Sequence, residues 1–272
     1  MRNILSIVLL VSLSIPILWG CKSTSAPQDE HYEEFVFIDS VHIHPAGISY
    51  NEGDSSQDRI LKFYAEDGFI VHYEEITDTV TTHSFYDYTY YPDSIIKHTQ
   101  IDTIQLDEWY SVYELNENRN IKKLVQHLFD VIIETEYSYD MEDHLAMIYF
   151  GSSDQHCKWL WRDGNLDKIV WGDGEAFTHF RYNDNTSIPF GSCFVQLPKL
   201  DVALSMMGFY GNNPINAHVI EAEESEGELT DVSIFTYDPG ENKLSSRQMC
   251  YKGIETDSIE CSIRWSTIRV RQ

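Results

Sequence analysis

Residues 159–171 read Trp159-Leu-Trp161-Arg-Asp-Gly-Asn165-Leu-Asp-Lys-Ile-Val-Trp171. Aromatic residues alternate up to Trp161, an Asp-Gly-Asn step follows, and aliphatic residues resume at Leu166. Alternation with period two places Trp159 and Trp161 on one face of a strand. Asp, Gly and Asn supply turn geometry. The stretch therefore reads as a β-hairpin. The same unit recurs along the chain, with aromatic anchors at Tyr64, Tyr91, Tyr113, Tyr139, Trp161, Tyr182 and Tyr237. The first six anchors are separated by 27, 22, 26, 22 and 21 residues, and the last gap is longer. After each turn an apolar residue resumes the pattern: Ile70, Ile95, Ile121, Leu145, Leu166, Ile188 and Leu244. One hairpin cannot bury its apolar face alone, so such units must pack side by side. The expected fold is all-β: a meandering antiparallel sheet of consecutive hairpins, strongly curved or partly closed, and barrel-like.

Two segments test that reading. Ile121, Leu124, Val125, Leu128, Phe129, Ile132 and Ile133 follow helical spacing. They are flanked by copies of the repeat, however, and Val131-Ile132-Ile133 is β-branched. Two strands joined near His127 to Asp130 are expected. Residues 199–209 make the better helix, with Pro198 before them and Gly208 to end them.

The chain starts with a short basic step at Arg2 and an apolar stretch from Ile4 to Leu18. That stretch is shorter than the ~20 apolar residues a membrane span needs, and it has the form of a secretory signal. It ends Leu18-Trp19-Gly20-Cys21, which resembles a bacterial lipoprotein signal with Cys21 as the lipidated residue. The expected organisation is a signal peptide at 1–20, a flexible acidic tether at 21–34, and a single β domain at 35–272. Several acyl chains on one cysteine hold a protein firmly at a membrane. The expected location is therefore the cell envelope, as an outer-membrane lipoprotein facing either side.

The formal net charge is −25. Removing residues 1–20 takes away only Arg2, leaving −26. Such a chain is a poor partner for nucleic acid, whose recognition needs clustered Lys and Arg. Cys157, Cys193, Cys250 and Cys261 remain after Cys21, and four cysteines allow three pairings. Cys250 and Cys261 are candidates to face each other across a hairpin.

With the lipoprotein start and the aromatic-turn repeat goes the segment Leu204-Ser-Met-Met-Gly208-Phe-Tyr-Gly211. Together these resemble domain-of-unknown-function family 4595, a family of envelope lipoproteins with a porin-like fold and tyrosine-aspartate hairpin repeats. The likeness spans most of residues 55–255. It implies a fold but no activity, cofactor or catalytic residue.

The candidate sites are few. Trp159, Trp161 and Trp171 could form an aromatic platform that stacks on sugar rings, or they could simply fill the core. Asp163-Gly-Asn165-Leu-Asp167 begins like a calcium loop. Its sixth and twelfth positions hold Lys168 and Gly174 instead of Gly and Glu, so a hairpin turn accounts for it better. His42 and His44 share a strand face but lack a visible third ligand, so no metal or cofactor is expected. Asp followed by Ser or Thr and an aliphatic residue marks Ser40, Thr79, Ser94, Thr103 and Ser258 as candidate O-glycosylation sites in turns. No nucleophile elbow, histidine-rich metal motif or phosphate loop occurs.

The leading expectation is a non-enzymatic, membrane-tethered module that binds glycan or another envelope protein. A carboxylate-based envelope hydrolase and a structural subunit of an outer-membrane complex are the alternatives. Charged residues recur too often in the strands for a lipid-facing wall.

Overall fold

In the computed structural model each aromatic-turn unit is a hairpin. The structure describes residues 32–46, 58–77, 82–102, 104–151, 155–172, 174, 176–182, 200–211, 219–226, 228–238, 240–250 and 254–271. The described residues form sixteen strands. The first eight are β1 (Tyr32–Ala46), β2 (Arg59–Glu66), β3 (Phe69–Thr77), β4 (Thr82–Tyr90), β5 (Ser94–Ile101), β6 (Ile104–Leu115), β7 (Ile121–Leu128) and β8 (Val131–Tyr139). The second eight are β9 (Leu145–Phe150), β10 (His156–Arg162), β11 (Asn165–Trp171), β12 (Ala176–Tyr182), β13 (Val219–Glu226), β14 (Glu228–Asp238), β15 (Lys243–Cys250) and β16 (Ile254–Arg271). One helix, α1 (Val202–Met206), lies between β12 and β13.

Every strand pairs antiparallel with its chain neighbours, and β16 pairs with β1, so the sheet closes into a barrel. Closure leaves no edge running the full length of the sheet. The long strand β16 recruits residues assigned to the tether. Tyr32 pairs with Arg271 and Glu34 with Arg269, and a carboxylate oxygen of Glu34 lies 3.4 Å from Arg269 Nε. Strand β1 thus includes residues 32–34, which the sequence reading places in the tether.

The expected break of 121–133 into two strands is found, with β7 and β8 joined at Phe129 and Asp130. Asp67-Gly68 and Asp163-Gly164 both have positive φ at both residues, the geometry of the tightest hairpin turns. The second of these is the loop that opens like a calcium site.

The repeat has a physical meaning. Ile70, Ile95, Ile121, Leu145 and Leu166 each open a returning strand, and each is at most 2% exposed. They form an aliphatic belt inside the end of the barrel where the aromatic turns lie, called here the anchor rim. An aromatic donor from the next unit caps the belt three times over. Tyr90 Oη donates to the Ile70 carbonyl at 2.6 Å, Tyr139 Oη to that of Ile121 at 2.6 Å, and Trp161 Nε1 to that of Leu145 at 2.7 Å. The connection between β12 and β13 leaves this same rim. Its described part turns inward, burying Ala203, Leu204, Met206, Phe209 and Tyr210 against the belt. The Phe209 carbonyl accepts the Ile121 amide at 2.8 Å. Burying each such aliphatic or aromatic side chain is worth roughly 1.5–3 kcal/mol.

The outer wall is laced with cross-strand ion pairs. Arg264 Nε contacts Asp39 at 2.8 Å, Lys123 contacts Glu134 at 2.9 Å, and Arg162 contacts Asp167 at 3.1 Å. A membrane-spanning barrel turns an apolar band to lipid instead.

The cysteine expectation needs correction. In the β15–β16 ladder Cys261 faces Leu244, whereas Cys250 faces Ile254. Six residues along a strand is ~20 Å, far beyond the ~7 Å reach of a disulfide. Cys261 is a free buried thiol, and burial pushes its pKa up to about 11. Cys157 is buried on β10, and Cys193 lies outside the described residues.

Candidate functional site

Strand alternation places Tyr88, Lys97 and Tyr113 on the inner face of β4, β5 and β6. Lys97 pairs in register with Tyr88 on one side and Ser111 on the other. Asp201 enters from the opposite direction, as the N-cap of α1, with extended backbone at φ −74°, ψ 124°. The four residues meet in the interior. Lys97 Nζ lies 2.6 Å from Asp201 Oδ2. Tyr88 Oη donates to both carboxylate oxygens at 3.0 and 3.1 Å, and Tyr113 Oη donates at 3.2 Å. The Leu204 amide completes the cap at 3.1 Å, and the Asp201 amide donates to Tyr210 Oη at 3.1 Å.

The Asp201 side chain is 4% exposed. Burial alone would raise its pKa. The adjacent Lys97 charge and the converging hydrogen bonds outweigh that and hold the carboxyl below the usual carboxylate value. Burial, and then the Asp201 charge, push Tyr88 and Tyr113 far above the ordinary phenol range. Asp201 is thus an ionised acceptor whose lone pairs are occupied. A general acid would need the opposite shift. Asp39 and Asp140 are also shifted down, so among the described carboxylates with a resolved shift none resembles a catalytic acid.

Below this cluster, away from the anchor rim, the inner wall is aromatic and polar. Lys97 Nζ sits 4.4 Å from the centre of the Tyr86 ring, a cation–π contact. Tyr86 stacks on Tyr73 at 4.8 Å, and Tyr73 on Phe63 at 4.9 Å. Tyr73 Oη donates to Glu75 at 3.0 Å, and Arg59 Nε donates to the same carboxylate at 2.9 Å. Tyr86, Glu75 and Ser84 are half-buried there.

The sequence-derived candidates lie elsewhere. Trp159 is 3% exposed, so it is a core residue and not part of a surface platform. Among the described residues its Nε1 donor has no partner. Trp161 is half-buried and stacks on His144 at 4.6 Å. Trp171 packs half-buried against the core from β11, the strand after theirs. His42 and His44 converge on Asp58, with the closer nitrogen 2.6 Å from a carboxylate oxygen. Among the described residues no group of three or more His, Cys, Asp or Glu is arranged to hold a metal. Of the candidate glycosylation residues, Ser40 and Ser258 lie within β1 and β16 and not in turns. Ser94 opens β5 beside its turn and donates to Asp93 at 3.1 Å. Thr79 and Thr103 are outside the described residues.

Fold and site together define a closed antiparallel barrel, filled at one end by a segment that a buried ion pair fastens to the wall. No family model matches this chain, so none carries the resemblance to family 4595. No curated protein matches it either. Among solved structures, a porin-like protein from Bacteroides vulgatus shares 12% identity at a TM-score of 0.47, over 84% of this chain and 98% of that one. The fold described here rests on the strand ladder alone.

Proposed function

We propose that this chain is a non-enzymatic binding module, tethered to the bacterial envelope through Cys21, that takes a glycan at the inner wall beneath Lys97. The carrying observation is the half-buried Tyr86 ring on the concave face, with Lys97 against it and Glu75 on the neighbouring strand. Tyr73 and Lys97 already lie against the Tyr86 ring from either side, so its edge and phenol group face the sugar. Few, well-placed polar groups inside a concave wall orient its hydroxyls. The ion-paired outer wall suits a barrel that stands in water on its tether.

The test is isothermal titration of residues 22–272 against a panel of host and bacterial glycans, with and without calcium. Saturable binding that weakens about tenfold or more in Tyr86→Ala, with the circular dichroism unchanged, supports the reading. The absence of heat with every glycan rejects glycan as the ligand class.

A further inference from the structure

At the rim opposite the anchor turns, the β7–β8 hairpin projects beyond the described end of β9. Its tip is apolar and bare: Phe129 is 60% exposed, Val131 55%, Ile132 60% and Ile133 39%. Phe129 also has φ +54°, a conformation a bulky residue rarely adopts. The β8–β9 ladder reaches only Thr135, opposite Phe150, followed by one bond from the Gly151 amide to the Glu134 carbonyl at 2.7 Å. Glu134 therefore points its backbone polar groups towards β9, and by alternation so does Ile132. On its other side Ile132 lies opposite His127, in a pair that exchanges no backbone hydrogen bonds by the same alternation. Among the described residues no strand pairs with the Ile132 N–H and C=O on that side, and they form a short edge where a further strand can add.

Charge selects the occupant. Exposed Asp130, Glu134 and Glu136 border the apolar tip. Two copies pairing antiparallel about Ile132 would set Asp130 opposite Glu134 twice over, and like charges directly opposite are destabilising. The chain's overall charge of −25 opposes self-association further. Insertion into a bilayer would have to bury Asp130. It would also use the rim opposite the one from which β1 starts. What fits is an extended apolar segment of another protein with Lys or Arg at its ends. We propose that the Val131–Ile133 edge is a docking site for such a basic-flanked strand. The proposal stands independently of the glycan reading.

The probe is a short synthetic peptide of alternating valine and threonine with lysine at both ends, compared with the same peptide ending in glutamate. Amide hydrogen exchange of residues 22–272 is read at Ile132. The lysine-ended peptide is expected to slow that amide about tenfold, and the glutamate-ended one to leave it unchanged. A peptide with a methylated central amide cannot pair with the edge, and on the unmodified protein it should leave the Ile132 amide unprotected. Equal or absent protection with the two peptides overturns the proposal. So does protection that appears without peptide as concentration rises, or only on phosphatidylglycerol vesicles.

Discussion

Lys97 and Asp201 are 104 residues apart in the chain, and their charged atoms are 2.6 Å apart in the interior. This pair ties the barrel wall to the segment that fills its anchor end. Removing one member of a buried pair strands the other, at a cost of ~3–5 kcal/mol. Lys97→Met should lower unfolding stability by about that much in urea titration. The double variant with Asp201→Asn should recover part of the loss, since neither charge is then unpaired.

Asp201 also fixes the sign of one pH dependence. Its folded pKa lies below the unfolded value of about 3.9. Its contribution is therefore present above pH ~3.9 and is lost as pH falls through the folded pKa. Asp201→Asn should make the acid limb of the stability curve shallower, by up to one proton's worth of slope. An unchanged limb would place the lost protons on other carboxylates.

Two glycines around α1 separate backbone strain from packing. Gly211 has φ +81°, and a Cβ there would sit only 2.1 Å from the Asp143 carbonyl oxygen. Gly208 has φ +75° with open space around it. Gly208→Ala should cost ~1–2 kcal/mol, from the left-handed conformation alone. Gly211→Ala should cost more, because the segment must also move off Asp143. Thermal unfolding of the two variants side by side reads the difference.

The aromatic caps on the aliphatic belt predict a small, repeated effect. Tyr139→Phe removes the bond to the Ile121 carbonyl and keeps the ring, so it should cost ~0.5–1.5 kcal/mol. Tyr90→Phe should behave alike at Ile70. Each loss is measured by chemical denaturation.

Much of this was legible in the sequence because the signals are local. The alternation at Trp159 and Trp161, the Asp-Gly turns and the apolar residue after each turn lie within a few residues of one another. The belt of Ile70, Ile95, Ile121, Leu145 and Leu166 follows from them directly. β-Branching at Val131-Ile132-Ile133 correctly outweighed the helical spacing of 121–133, because a two-residue turn suffices to reverse the chain there. The short helix was legible from Pro198 and Gly208, though the structure confines it to Val202–Met206. What was not legible depends on long-range register. Nothing near Lys97 in the sequence announces Asp201, although an isolated lysine at an inward position of β5 asks for a partner. Closure through Tyr32 and Arg271, the separation of Cys250 from Cys261, and the inward burial of Trp159 are likewise set by the ladder as a whole. Local alternation tells which residues share a face, but not which face is inside.

The ion-paired outer wall of the closed barrel predicts that it folds in water, without lipid around it. The most direct test is to prepare residues 22–272, which lack Cys21, without detergent and to sediment them. A folded, β-rich monomer in plain buffer is the predicted result. A chain that folds only in detergent or lipid would contradict the account and turn the outer wall towards the membrane.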